Sequence, residues 1–325
     1  MLDRRTFIGR VAGGLLALPL PVVAQPSKQL PLVGILNIGV GSRSATVTSV
    51  RDGLRELGYV DGKTIAFDVR FAAGKSEAFP ALAADLVGRK VDLLLASGPA
   101  AVRAAMEATR TIPIVALDYE SDPVQAGFAL SIAQPGRNLT GCFLDQPGLA
   151  GKWLGLLTEA VPTVRRVAVL RDPTTGPWQL AAIKGVAEKR GLQLHTLEIG
   201  HLEELDRALE VAVNGGSRAV VLLSSPLFDN QSNRVTDLTA KHRLPAISLF
   251  RSFAERGGLM SYGPDQRKYT RRLAVYIDRI LRGAKAGDLP IEQPTKFDFV
   301  INSKAAKALG LTIPHSLWMQ AEILE

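Results

Sequence analysis

Val33-Gly34-Ile35-Leu36 and, 134 positions further on, Val167-Ala168-Val169-Leu170 are the two short apolar runs on which the fold turns. Pro31 and Gly39 bound the first run, so it reads as a strand buried on both faces. After it, Val47, Val50, Leu54 and Leu57 recur at helical spacing, and Gly58 ends the helix. Residues 65–71 alternate as a strand, and Leu82 and Leu86 mark a helix. A strand at 92–96, a helix at 100–108 and a strand at 112–117 follow. Strands alternating with helices predict a parallel sheet covered on both sides.

The second run opens the same grammar again. Its helix ends at Gly191, 133 positions after Gly58. Pro245-Ala246-Ile247 repeats Pro113-Ile114-Val115 at an offset of 132, and Val221-Leu222-Leu223-Ser224-Ser225-Pro226 echoes Leu94-Leu95-Ala96-Ser97-Gly98-Pro99 at 127. Four correspondences in one order predict an α/β chain of two similar lobes, each a doubly wound parallel sheet. A helix at 151–160 lies near the boundary. A long amphipathic helix at 265–282 carries Leu273, Tyr276, Ile277, Ile280 and Leu281 on one stripe. A proline-rich stretch then leads to a strand at 296–301. The chain is thus expected to cross between lobes more than once, forming a hinge. The expected division is 25–145 with 264–288 for the first lobe and 146–263 with 289–325 for the second.

Composition agrees with two domains, since 325 residues span more than one domain of roughly 100–200. Residues 1–24 read as a signal peptide: Arg4, Arg5 and Arg10, an apolar core at 11–20, and Val22-Val23-Ala24 before the cleavage point. Arg4-Arg5-Thr6-Phe7-Ile8 is similar to a twin-arginine motif, with Asp3 where Ser or Thr is usual. The expected location is the periplasm. The apolar run at 11–24 is shorter than the roughly 20 residues of a membrane span. Losing the leader removes three arginines and one aspartate, taking the formal charge from +8 to +6. The basic residues come in scattered pairs such as Arg165-Arg166 and Arg271-Arg272, which suits solvated helix faces rather than nucleic acid.

No catalytic set emerges. There is no Gly-x-Ser-x-Gly elbow, P-loop or His-Glu-x-x-His string, and His195, His201, His242 and His315 lie in separate elements. One cysteine, Cys142, excludes an internal disulfide and reads as a buried small residue. Gly39-Val40-Gly41 lacks the third glycine of a dinucleotide loop, Ser44 standing there, and reads as a ligand-facing loop. No cofactor or metal is expected.

Ligands of doubly wound sheets bind outside the carboxyl ends of the strands. The candidates there are Asn37, Ser97, Gly98, Asp118, Asp122, Trp178, Ser225, Phe250 and Tyr262. Ser97-Gly98-Pro99 opens a helix whose free N–H groups suit a carboxylate, although Ser97 equally suits an N-cap. Ser224-Ser225-Pro226 is its counterpart. Asp118-Tyr119-Glu120-Ser121-Asp122-Pro123 places three carboxylates at one strand end, able to hold an ammonium group; Asp122 also suits a cap. Phe250, Phe253 and Tyr262 form either a pocket wall or core, and Trp178 is placed to stack on a ligand.

Several strings resemble one family. They are Gly53-Leu54-Arg55-Glu56-Leu57-Gly58-Tyr59-Val60-Asp61-Gly62, Pro80-Ala81-Leu82-Ala83-Ala84-Asp85-Leu86-Val87, Asp122-Pro123-Val124, Pro135-Gly136-Arg137-Asn138-Leu139-Thr140-Gly141, Gly257-Gly258-Leu259-Met260-Ser261-Tyr262-Gly263, Gln293-Pro294-Thr295-Lys296-Phe297 and Ala308-Leu309-Gly310-Leu311-Thr312-Ile313-Pro314. Together they resemble ABC-transporter substrate-binding proteins of the tryptophan/tyrosine-binding type. The resemblance implies a monomeric two-lobed periplasmic receptor that closes on a small solute, an amino acid or related carboxylate, and passes it to an inner-membrane permease. It implies Ser97 for a carboxylate, Asp122 for an amino group, and Tyr262 in the pocket. Ser224-Ser225-Pro226 and the acidic Asp118-Tyr119-Glu120 depart from the family pattern. Two other readings share these residues: an exported α/β enzyme using Asp118, Asp122 and a histidine, and a sensory receptor serving a membrane kinase.

Overall fold

The computed structural model describes residues 30–39, 44–144 and 146–325. The expected leader at 1–24 and most of the Gly39-Val40-Gly41 loop lie outside the described residues. The chain runs β1 (Leu32–Asn37), α1 (Ala45–Glu56), β2 (Ala66–Phe71), α2 (Phe79–Gly88), β3 (Leu93–Ser97), α3 (Pro99–Ala108), β4 (Ile114–Asp118) and β5 (Leu139–Phe143). Then follow α4 (Gln146–Ala160), β6 (Arg166–Arg171), α5 (Trp178–Lys189), β7 (Gln193–Glu198), α6 (Leu205–Asn214), β8 (Ala219–Leu222), α7 (Pro226–Asn230), α8 (Ser232–Lys241), β9 (Ala246–Ser248), α9 (Arg251–Glu255) and β10 (Met260–Gly263). The chain ends with α10 (Gln266–Leu281), β11 (Asp298–Asn302), α11 (Ser303–Ala308), α12 (His315–Trp318) and β12 (Glu322–Leu324).

Two sheets result, in the orders β2-β1-β3-β4-β5 and β12-β11-β10-β9-β8-β6-β7. Pairing is parallel except between β10 and β11. The repeat is therefore architectural: each lobe places its first strand between its second and third. The period-two alternation of a strand explains why continuous apolar runs form such sheets. Val33 and Ile35 join the core under α1 and α10 with Leu93, Leu95 and Val115, whereas Leu36, Leu94, Ala96 and Ile114 join the core on the opposite face. In the second lobe Val167, Val169 and Val221 divide in the same way from Ala168, Leu170 and Val220.

The chain passes between the sheets three times, after β5, after β10 and before β11. Helix α10 returns to the first lobe and packs on α1. Its N-cap Asp265 accepts from the Arg267 and Lys268 amides at 3.0 and 3.4 Å. Residues 289–292, assigned by sequence to the second lobe, instead run beside β5. Glu292 N donates to Gly141 O at 2.9 Å, Phe143 N donates to Glu292 O at 3.0 Å, and Thr140 Oγ1 donates to Leu289 O at 2.8 Å. Strand β5 itself was not read from the sequence. Gly141 permits it: at φ 142 its Cα lies so near β4 that a Cβ would stand 2.0 Å from Ala116 O.

Candidate functional site

The carboxyl ends of the strands in the two sheets face one another. From the first lobe come Asn37, ending β1, Ser97, ending β3, with Gly98 after it, and Asp118, ending β4, with Tyr119 and Glu120 after it. From the second come Asp172 after β6 and Ser224 and Ser225 after β8. The lobes touch here. Ser224 Oγ donates to Glu120 Oε1 at 2.6 Å, and both side chains are buried. A Cβ on Gly98 would meet Pro226 Cγ at 2.7 Å, and one on Gly39 would meet Asn230 Oδ1 at 3.1 Å.

The first-lobe wall is acidic. Asp118 Oδ1 accepts from the Glu120 and Ser121 amides at 2.9 and 3.0 Å, fixing the turn, while Oδ2 is buried without a partner. Burial raises the Asp118 carboxyl above its usual range. Burial and the neighbouring Asp118 carboxylate push Glu120 well above it, against the opposing Ser224 hydrogen bond. The Tyr119 hydroxyl is buried and unpartnered too, and burial raises it.

The second-lobe wall is a hydrogen-bonded frame. Asp172 Oδ1 accepts from Thr174 N at 2.8 Å and Thr174 Oγ1 at 2.7 Å; Oδ2 accepts from Ser225 Oγ at 2.6 Å. Ser225 Oγ in turn accepts from Leu227 N at 3.0 Å, capping α7. Gln179 holds the Ser224 peptide from both sides: its Oε1 accepts from Ser224 N at 2.6 Å and its Nε2 donates to Ser224 O at 2.8 Å.

Two cavities open between the lobes. One, about 10 Å³, is lined by Ile38, Ser97, Gly98, Ala101, Asp172 and Pro226. The other, about 470 Å³, lies between Gly39, Gly74 and Lys75 on one side and His201, Pro226 and Asn230 on the other. A larger concavity of about 1200 Å³ sits at the opposite, amino-terminal ends of the first sheet and faces away from the cleft.

The structure thus places Ser97 and Gly98 on the wall of an inter-lobe cavity, and Asn37, Asp118 and Ser225 buried at the neighbouring strand ends, lining neither cavity. Asn37 Oδ1 accepts from Gly39 N at 2.8 Å and shapes the loop there. Ser97 does not cap α3, whose N-cap is Gly98 with no side-chain cap. The remaining candidates are placed differently. Asp122 is used by its own turn, Oδ1 accepting from Val124 N and Gln125 N at 2.8 and 2.9 Å. Trp178 opens α5 beside Gly176 and lines neither inter-lobe cavity. Phe250 is buried in the core, with its backbone at the N-cap of α9. Tyr262 lies within β10 near the crossings, stacked on Phe297 at 5.7 Å, with its carbonyl accepting from Trp153 Nε1 at 2.8 Å.

Asp172 and Gln179 were missed. Asp172 carries a signal, an acid directly after the second lobe's first strand and before Pro173. Gln179 carries none, because its role depends on the rotation of α5 against β8. Among the described residues no group of three His, Cys, Asp or Glu has metal-holding geometry, and no helix is long and apolar enough to cross a membrane.

The chain is 25% identical over 260 residues to a tyrosine-binding protein of Clostridioides difficile (strain R20291), covering 79% of this chain and 74% of that protein. A solved conserved domain protein from Vibrio cholerae is similar at 26% identity and TM-score 0.83, over 91% of this chain and 100% of that one. An ABC domain in complex with L-Trp from Streptococcus pneumonia gives 24% and 0.82 over the same shares. The ligand-free, open structure of a substrate binding protein with adhesive properties from Clostridium difficile gives 23% and 0.61, over 91% of this chain and 99% of that one. A family model described as ABC transporter substrate binding protein matches residues 34–324. With that match running through both lobes and all three crossings, the chain belongs to the ABC transporter substrate binding protein family.

Proposed function

We propose that this protein is the extracytoplasmic receptor of an ABC importer and that its solute is an amino acid. The observation that carries this reading is the meeting of both lobes at the carboxyl ends of their strands, with Glu120 bonded to Ser224 across the cleft. A clamshell of this kind shuts when the ligand makes better contacts in the shut state than in the open one. The acidic turn at Asp118–Glu120 suits the amino group, and Ser97 with the first turn of α3 suits the carboxylate. The tyrosine-binding relative and the similar chain holding L-Trp support an amino acid as cargo. In this reading residues 1–24 direct export to the periplasm, the receptor works as a monomer, and it delivers its solute to an inner-membrane permease.

The test is a panel of the protein amino acids and related small acids, followed by thermal shift and X-ray scattering. One class of amino acid is expected to raise the melting temperature saturably and reduce the radius of gyration, and to be recovered chemically unchanged. No response across the panel, or turnover of the bound compound, defeats the proposal.

A further inference from the structure

Loops that lead into parallel strands all gather at one edge of a sheet, and in the first lobe that edge is basic. Arg89 and Lys90 come before β3, Arg137 before β5, and Lys285 after α10. With Asp92 they are the charged residues lining the concavity of about 1200 Å³ at the amino-terminal ends of the first sheet. The acid is already engaged, since Asp92 Oδ2 accepts from Leu32 N at 2.7 Å. Arg89 lies 3.4 and 3.6 Å from Asp68 and Asp85, two acids that Arg70 also holds. Lys90, Arg137 and Lys285 are exposed and, among the described residues, make no ion pair.

The loops that carry these cations are fixed. Gly136 N donates to Gly287 O at 3.0 Å, and Gly287 lies so near the Arg137 backbone that a Cβ on it would stand 2.3 Å from Arg137 O. Asn138 Nδ2 donates to Ile112 O at 2.8 Å and to Thr109 O at 3.3 Å, tying the loop before β5 to the one before β4. Backbone order of this kind holds three unpaired cations on one face at no further cost in chain entropy.

The position of Leu30 says what that face meets. Leu30 is 36% exposed and lines the same concavity. Only residues 25–29 separate it from the apolar run at 11–24. While that run lies in a bilayer, Leu30 stands at most about 20 Å away, so the face around it is the one turned to the lipid. The chain's own leading segment is a poor occupant, because Arg4, Arg5, Arg10 and Lys28 outweigh Asp3 there and repel the face. Cations on separate loops suit the many phosphates of a lipid surface better than a single carboxylate, and Leu30 and Leu281 add apolar contact beside them.

We propose that this concavity is a docking surface for anionic phospholipid headgroups, holding the exported chain against a membrane with its cleft turned to the solution. The cleft stays free because it lies at the opposite, carboxyl ends of the same strands. This goes beyond the receptor reading and depends on neither its cargo nor its permease; it takes from the export reading only the place of the membrane.

The test is sedimentation with vesicles, using the chain from Gln25 onward. The buried residues of all three cores lie between Val33 and Leu317, so this chain keeps every packed element. It is expected to bind vesicles of phosphatidylglycerol and phosphatidylcholine in equal parts and not vesicles of phosphatidylcholine alone. Binding should weaken by at least about tenfold between low salt, about 20 mM, and about 300 mM. Lys90→Glu, Arg137→Glu and Lys285→Glu together should weaken it by at least about tenfold, and the three changes to Gln by less.

The control reverses Lys184, Arg207 and Arg218 to Glu. These are exposed cations of the second lobe with no ion pair among the described residues, and the net charge changes equally. Binding by this control should stay within about twofold of the wild type. Circular dichroism checks that each variant folds. Failure of the wild type to bind the anionic vesicles, an equal loss in both triple Glu variants, or binding of a glutamate-rich peptide where vesicles do not bind overturns the proposal. No solute is present, so the outcome is separate from whether an amino acid is the cargo.

Discussion

Gly98 stands against the ring of Pro226 in the other lobe, with room for no further atom: a methyl group on Gly98 would lie 2.7 Å from Pro226 Cγ. Its backbone, at φ 86 and ψ 160, also lies in a region open almost only to glycine. Gly98→Ala is therefore expected to cost about 1–3 kcal/mol and to hold the lobes apart. Calorimetry should show a lower melting temperature, and scattering should show no compaction by a ligand that compacts the wild type.

Gln179 is the brace of the second wall. Its amide satisfies both the N–H and the C=O of Ser224. Gln179→Ala leaves both unpaired in a buried place, a loss of about 1–3 kcal/mol for each unsatisfied group. Gln179→Glu keeps an acceptor for Ser224 N and loses the donor, so it should fall between the two. Urea unfolding midpoints check the order.

The crossing before β11 is tied to α10 by Tyr276, whose hydroxyl donates to Pro290 O at 2.8 Å. Burial, and then Glu292, pushes this phenol up to about 12 from 10.0. A raised phenol is neutral in the folded chain after it would ionise in the unfolded one. Its contribution to stability is complete below 10.0 and is lost as pH rises toward about 12. Tyr276→Phe should flatten that alkaline decline in melting temperature.

Cys142 sits on β5 with no exposed surface, and burial together with Glu292 raises its thiol. Only the thiolate reacts readily. Maleimide should leave the native protein unlabelled at pH 7.5 over a time in which it labels the urea-unfolded chain completely.

Trp153 belongs to α4 and donates to Tyr262 O on β10 at 2.8 Å, with the indole buried. Trp153→Phe keeps most of the packing and removes the donor. An expected loss of about 1–3 kcal/mol in chemical unfolding distinguishes this from a conservative core exchange.

The doubled half-fold was legible because it is local. Val33 to Leu36 and Val167 to Leu170 announce strands by length and by their flanking breakers, and the alternation of elements dictates parallel sheets. Strands β10 and β12, at four and three residues, fall below what periodicity resolves, and β5 was hidden in a stretch broken by Thr140-Gly141. Asp122 drew notice through its Asp-Pro pair, yet that pair is a turn signal, and the turn consumes its carboxylate. Phe250 drew notice as an aromatic near a strand end, and at the N-cap of α9 its side chain is buried in the core.

What the sequence by itself determined is the identity of each half, the order of its elements and the strand ends where chemistry gathers, because hydrophobic period and breakers act over a few residues. Only the tertiary structure decided that Glu120 meets Ser224 at a separation of 104 residues, that Gln179 grips Ser224, and that Asp172 faces Glu120. Those pairings depend on how far the lobes close and how each helix is turned against its sheet, quantities set by the packing of the whole molecule.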